Sequence, residues 1–95
     1  VSFTIIASDS GIPIQNFTAK KGDTVELTIS IATTNVSFGG EQVKSNDDTF
    51  DTGNLSPGES KTITFVADHT FTFRAYWPSN SVPKGPGPTT FTVTD

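Results

Sequence analysis

An antiparallel β-sandwich of about seven to eight strands is the fold class this sequence predicts. Three observations carry it. Apolar residues alternate with Thr, Ser and charged residues through much of the chain, the period-two pattern of half-buried strands. Turn signals built on Gly, Pro and Asp fall between the alternating runs. No segment of useful length has the 3.6-residue period of a helix. Short strands at this spacing favour two sheets joined by Greek-key links.

The elements follow in order. VSFTII opens the chain inside a strand. FTAK and the turn KKGD (Lys20 to Asp23) precede the long run TVELTISIATT, with Val25, Leu27, Ile29 and Ile31 on one face and Glu26, Thr28 and Ser30 on the other. NVSF leads to a turn at FGGE. LSPGES (Leu55 to Ser60) carries the Pro-Gly of a type II turn. KTITFVA turns Ile63 and Phe65 inward, and ADHT (Ala67 to Thr70) is a candidate hairpin turn. TFTFRAYW places Phe71, Phe73, Ala75 and Trp77 on one face, with Arg74 and Tyr76 on the other. Pro78 stops that strand, because it has no amide for the ladder. TTFTVTD closes the sheet with Phe91 and Val93. VPKGPGP is too short for a domain linker, and no repeat is visible, so residues 1–95 are expected to form a single domain.

Bulk properties limit the function classes. The chain has 95 residues, 33% of them hydrophobic, and a formal net charge of −4 from ten acidic and six basic residues. No basic patch is present, so nucleic acid is not an expected partner. There is no Cys, so no disulfide holds the fold. The apolar runs are too short to cross a bilayer, and membrane attachment is expected only through segments outside this chain. The chain has no initiator Met or signal peptide and reads as a mature or excised domain.

Chemistry-bearing residues are few. His69 is the single imidazole. It lies across a strand from Ser60, so the two are expected at opposite ends and no nucleophile–base pair forms. NDDTFDTG gathers Asp47, Asp48 and Asp51, a weak candidate for a hard cation. It is not an EF-hand loop, since Thr52 stands where that loop requires Gly. A solvated turn with Asp bonded to backbone amides accounts for it more simply. A lone His in a polar turn is ordinarily a surface residue. Asn16, Asn35 and Asn54 each begin an Asn-x-Ser/Thr sequon. More than a quarter of the chain is Ser or Thr, so sequons arise readily by chance.

The order IQNFTAKKGDTVELTI, TTNVSFGG, FDTGNLSPGESKTITFVADHTFTFRAYWPS and TTFTVTD resembles the cupredoxins, the small copper-binding sandwiches that include plastocyanin, azurin and the corresponding domain of cytochrome oxidase subunit II. The resemblance implies a type 1 copper site of two His, one Cys thiolate and often an axial Met. Its positions fall near Val36 for the first His, Ala75 for the Cys, Trp77 for the second His and 80–82 for the Met. This chain has no Cys and no Met, and Trp77 and Tyr76 are sized to fill the vacated space. His69 is placed at the end opposite the family's copper loops. The dinuclear site of the oxidase, which needs two Cys, is absent for the same reason.

The expectation is a non-enzymatic, copper-free cupredoxin-like module with no cofactor. It would act outside the cytoplasm, secreted, periplasmic or in the cell envelope. It would recognise a protein or glycan partner through loop surfaces. Tyr76, Trp77, Asn80 and Lys84 are the candidate contacts, exposed aromatics being able to stack on sugars or anchor protein interfaces. Three alternatives stand beside it: a metal-binding electron-transfer domain using His69 and the Asp cluster or a partner's ligands, a carbohydrate-binding module built on Tyr76 and Trp77, and an immunoglobulin-like adhesin repeat.

Overall fold

The computed structural model describes residues 1–9, 11–12, 17–34, 40–77, 82–83, 85 and 87–95. Eight strands form in these: β1 (Ser2–Ala7), β2 (Phe17–Lys20), β3 (Thr24–Ile31), β4 (Glu41–Ser45), β5 (Asp51–Leu55), β6 (Ser60–Val66), β7 (Phe71–Tyr76) and β8 (Thr89–Thr94). They make a three-stranded sheet, β1-β3-β6, and a five-stranded sheet, β2-β8-β7-β4-β5. The chain switches sheet five times: from β1 to β2, β2 to β3, β3 to β4, β5 to β6 and β6 to β7.

Both sheets are mixed. β1 runs parallel to β3, and β2 runs parallel to β8, while the remaining pairs are antiparallel. The predicted sandwich is present, with two parallel pairs that alternation could not reveal. Parallel strands need a crossover between them. Here β2, lying in the opposite sheet, is the crossover from β1 to β3.

Sequence alternation becomes burial directly in β3. Val25, Leu27 and Ile29 are wholly buried, and Glu26 and Thr24 face solvent. Opposite them lies a cluster of phenylalanines from both sheets. Phe91 and Phe71 stack at 5.3 Å between centroids, and Phe65 meets Phe91 edge-on at 5.5 Å across the sandwich. Phe3 meets Phe17 and Phe91, and Phe50 meets Phe73. Each such pair adds about 0.5–1.5 kcal/mol beyond its buried area. Aromatic rings thus fill the space that, without a disulfide, must hold the fold.

The turns follow the chemistry of their residues. Pro57-Gly58 makes the predicted turn: Glu59 N–H donates to the Ser56 carbonyl at 2.9 Å, and Gly58 takes φ 85°, the conformation a type II turn requires at its third residue. Asp23 N–H closes the KKGD turn on the Lys20 carbonyl at 3.0 Å. ADHT is not a hairpin turn. It carries the chain between sheets, because Phe65 on β6 and Phe71 on β7 bury against each other at 5.6 Å from opposite layers.

All connections therefore gather at two ends. One, here the loop end, holds the described residues 8–9, 11–12, 32–34, 40, 56–59, 77, 82–83, 85 and 87–88. The other, the turn end, holds 21–23, 46–50 and 67–70, with both chain termini.

Candidate partner surface

Strand β7 delivers the loop-end residues. Its inward column is Phe71, Phe73 and Ala75, all buried. Ala75 has no exposed surface and pairs with Val43 of β4. Trp77, next in the same column, is half-buried, consistent with a core-edge position. Its amide donates to the Val82 carbonyl at 2.8 Å, and Tyr76 forms an isolated antiparallel bridge with Pro83. The chain leaving β7 thus returns alongside the strand end. Val36, Asn80 and Lys84 lie outside the described residues, as do the sequon residues Asn16 and Asn35. Asn54 is exposed on β5.

The outward column of β7 is Thr72, Arg74 and Tyr76. Lys44 Nζ stands 4.9 Å from the Tyr76 ring centroid, a cation–π contact from the neighbouring strand. Arg74 Nη2 donates to the Gly85 carbonyl at 2.9 Å. The Arg74 stem also packs against Gly87, where an added Cβ would come within 3.2 Å of it. Arg74 is therefore a strut that fixes the returning loop. A shallow groove of about 160 Å3 is lined by Asn46, Thr72, Phe73, Arg74, Tyr76 and Pro88, which follows a cis peptide bond. Its charged lining is cationic, in a chain of net charge −4.

One loop-end residue escaped sequence reasoning. Glu41, the first residue of β4, is wholly buried. Gln42 pairs with Tyr76, so Glu41 stands beside Trp77 in the ladder. The signal was parity: Val43 faces inward, and so must Glu41 and Ser45 on either side of it. Gly40 sets the entry to this strand. At φ 127° it passes so close to β5 that a Cβ would lie 1.8 Å from the Leu55 carbonyl oxygen.

The turn end carries the ionisable cluster. His69, with its side chain about half exposed, has carboxylates at both ring nitrogens, Asp68 at Nδ1 and Asp47 at Nε2, the latter at 2.5 Å. The hydrogen bonds to Asp47 and Asp68 raise the imidazole above its usual value of 6.5. Thr49 donates to Asp47 from its hydroxyl, at 2.6 Å, and from its amide. The Thr49 bond, with a smaller share from His69, outweighs desolvation and lowers Asp47 to about 2. His69 is thus at the surface as expected, but paired rather than merely solvated. Asp51 is engaged elsewhere, accepting from Gln42 Nε2 at 2.9 Å and from Gly53 N–H at 2.8 Å. Asp48 occupies a left-handed turn position, φ 64°. Among the described residues, no three or more His, Cys, Asp and Glu side chains are grouped to hold a metal ion. Ser60 and His69 stand at opposite ends of β6, as predicted.

The donor set at the loop end does not fit type 1 copper. The chain has no Cys and no Met, and its one imidazole, His69, lies in the turn between β6 and β7 at the turn end.

No protein-family model matches this sequence, and no curated protein matches it. Solved structures do. Auracyanin from the photosynthetic bacterium Roseiflexus castenholzii superposes with a TM-score of 0.70 at 19% identity, over 99% of this chain and 97% of that one. The copper nitrite reductase of Nitrosomonas europaea gives 0.72 at 20% identity, covering 99% of this chain and 41% of the enzyme. The Cu-containing nitrite reductase of Thermus scotoductus gives 0.68 at 16%, covering 98% and 27%. Strand order, sheet partition and these superpositions agree: the chain has the cupredoxin fold, built from a sequence without the Cys of a type 1 copper site.

Proposed function

We propose that this domain is a copper-free cupredoxin-like interaction module. It is non-catalytic, works outside the cytoplasm, and recognises a protein or glycan partner through its loop end. The observation that carries this reading is Ala75: a fully buried methyl group, packed on Val43, at the strand end where the fold family takes its thiolate. Fold does not supply function by itself, and the residue that the resemblance assigns to the thiolate position, Ala75, is a buried methyl group.

Recognition is assigned to the surface just outside that core. Tyr76 presents its ring beside Lys44, and Arg74 braces the adjoining loop on Gly85. An aromatic ring flanked by cations above a shallow groove suits a partner offering an aromatic, sugar or acidic group. Trp77 lies at the rim of the core beneath it and reports on the surface.

The test is a binding screen read by Trp77 fluorescence, the chain having one Trp. A partner is expected to shift the emission, and Tyr76→Ala to weaken the response while leaving the fold intact. A partner whose binding is indifferent to both Tyr76→Ala and Arg74→Ala would contradict this assignment. Stoichiometric copper uptake at the loop end would instead favour the electron-transfer alternative.

A further inference from the structure

Strand register sets two cations side by side on the outer face of the five-stranded sheet. Lys44 of β4 lies directly opposite Arg74 of β7. Both are half-buried, and both alternate with inward residues, Val43 and Ser45 on one strand and Phe73 and Ala75 on the other. Like charges directly opposite in an antiparallel pair are destabilising, and partial burial leaves them less screened by salt.

No carboxylate of the chain sits between them. All ten acidic residues are among the described ones, and the ion pairs formed there belong to His69. Asp51 is in register with Lys44, but on the side away from Arg74. Lys44 helps to lower its carboxyl, while its oxygens accept from Gln42 Nε2 and Gly53 N–H. Arg74 is two strands from it, roughly 10 Å. On the other side of Arg74 lies β8, TTFTVT, which has no charged residue. The guanidinium has five N–H donors. One is bonded to the Gly85 carbonyl, and Nε is buried with no acceptor among the described residues.

We propose that Lys44 and Arg74 form a receptor for one carboxylate, an acidic side chain of a polypeptide partner laid against the groove beside Tyr76. A carboxylate between two opposed cations cancels their repulsion and takes charge-assisted hydrogen bonds from both. Three observations favour a polypeptide as its source. The groove, about 160 Å3, has room for a single side chain. A sugar would need an open aromatic face to stack on, and Lys44 Nζ already stands 4.9 Å from the Tyr76 ring centroid. A polyanion would be repelled by the rest of a chain of net charge −4, whereas one carboxylate meets the local pair alone. The inference rests on the recognition surface proposed above and deepens it by naming the group recognised.

An NMR titration of the whole chain tests it, with short peptides that carry one glutamate, each matched by its glutamine twin. Glutamate peptides are expected to shift the Lys44, Arg74 and Tyr76 amides, to bind at least about tenfold more tightly than their twins, and to weaken as salt rises. Lys44→Gln changes a residue that braces no loop, and is expected to remove the preference for glutamate while the spectrum stays folded. Glutamate and glutamine peptides that bind alike, or not at all, overturn the proposal. So does a preference for glutamate that Lys44→Gln leaves intact. A glucuronate oligosaccharide that shifts the same amides when no glutamate peptide does also overturns it, in favour of a glycan. The broader recognition reading falls on a different result, a partner indifferent to both Tyr76→Ala and Arg74→Ala.

Discussion

The two ends of this sandwich divide the chemistry between them. At the turn end, an imidazole, two carboxylates and a hydroxyl meet in one exposed network, Asp68–His69–Asp47–Thr49. At the loop end, Ala75 and Glu41 are wholly buried, and Trp77, Tyr76, Lys44 and Arg74 are half-buried. The one imidazole of the chain lies at the turn end, paired with carboxylates. The core between the ends is shared, and the chain superposes on copper proteins over 98–99% of its length at identities of 16–20%. The lesson is that one core can hold the fold while the groups at its two ends differ in kind.

The largest expected effect tests the shared part. Phe91→Ala removes a wholly buried ring that touches Phe71, Phe65, Phe3 and Phe17. It is expected to cost about 3–5 kcal/mol of unfolding free energy in a denaturant titration. A loss below about 1 kcal/mol would show that the aromatic cluster does not bind the two sheets together.

Next comes the loop end alone. Gly40→Ala forces a Cβ onto the Leu55 carbonyl at a positive φ. The expected cost is about 2 kcal/mol or more. Exchange at the β4 and β5 amides should accelerate more than at β3, because the clash opens the β4–β5 pair. Uniform acceleration across both sheets would mean that this entry point is not local to the loop end.

The turn end should answer to pH with a smaller effect. His69 has a raised folded value, so its stabilising contribution is complete below its unfolded value of 6.5 and disappears as pH rises through the raised value. Asp47 has the opposite sign. Its contribution is present above 3.8 and is lost as pH falls toward about 2. Melting temperature should therefore decline slightly from pH 6 upward in the wild type and lose that slope in His69→Gln. An NMR titration should place the His69 midpoint above 6.5 and move it down in Asp47→Asn. A midpoint that Asp47→Asn leaves unchanged would dissolve the network.

How much of this was legible in the sequence differs by element. β3 and β7 were plain, because four or so alternating apolar residues suffice to define a face, and β8 showed the same alternation in Phe91 and Val93. β4 and β5 were not identified as strands: β4 turns Glu41 and Ser45 inward, and β5 carries Asp51, Thr52 and Gly53, so apolar parity is absent in both. The parallel pairs and the sheet change at ADHT depend on contacts between distant segments, such as Phe65 with Phe71. At the candidate surface, the burial of Ala75 and the half-buried state of Trp77 followed from parity with Phe73. The Lys44–Tyr76 contact and the Arg74–Gly85 strut join separate strands and loops, and no local pattern announces them.

The division between the ends is tested most directly by a Cu2+ titration of the whole chain, followed by visible absorbance and by Trp77 emission. Trp77 and His69 are separated by the length of β7, roughly 25 Å at strand rise, so the fluorophore tells one end from the other. The account predicts no intense thiolate-to-copper band, emission from Trp77 that stays unquenched, and any weak binding abolished by His69→Gln. One equivalent of copper that quenches Trp77 and survives His69→Gln would place a metal centre at the loop end and contradict it.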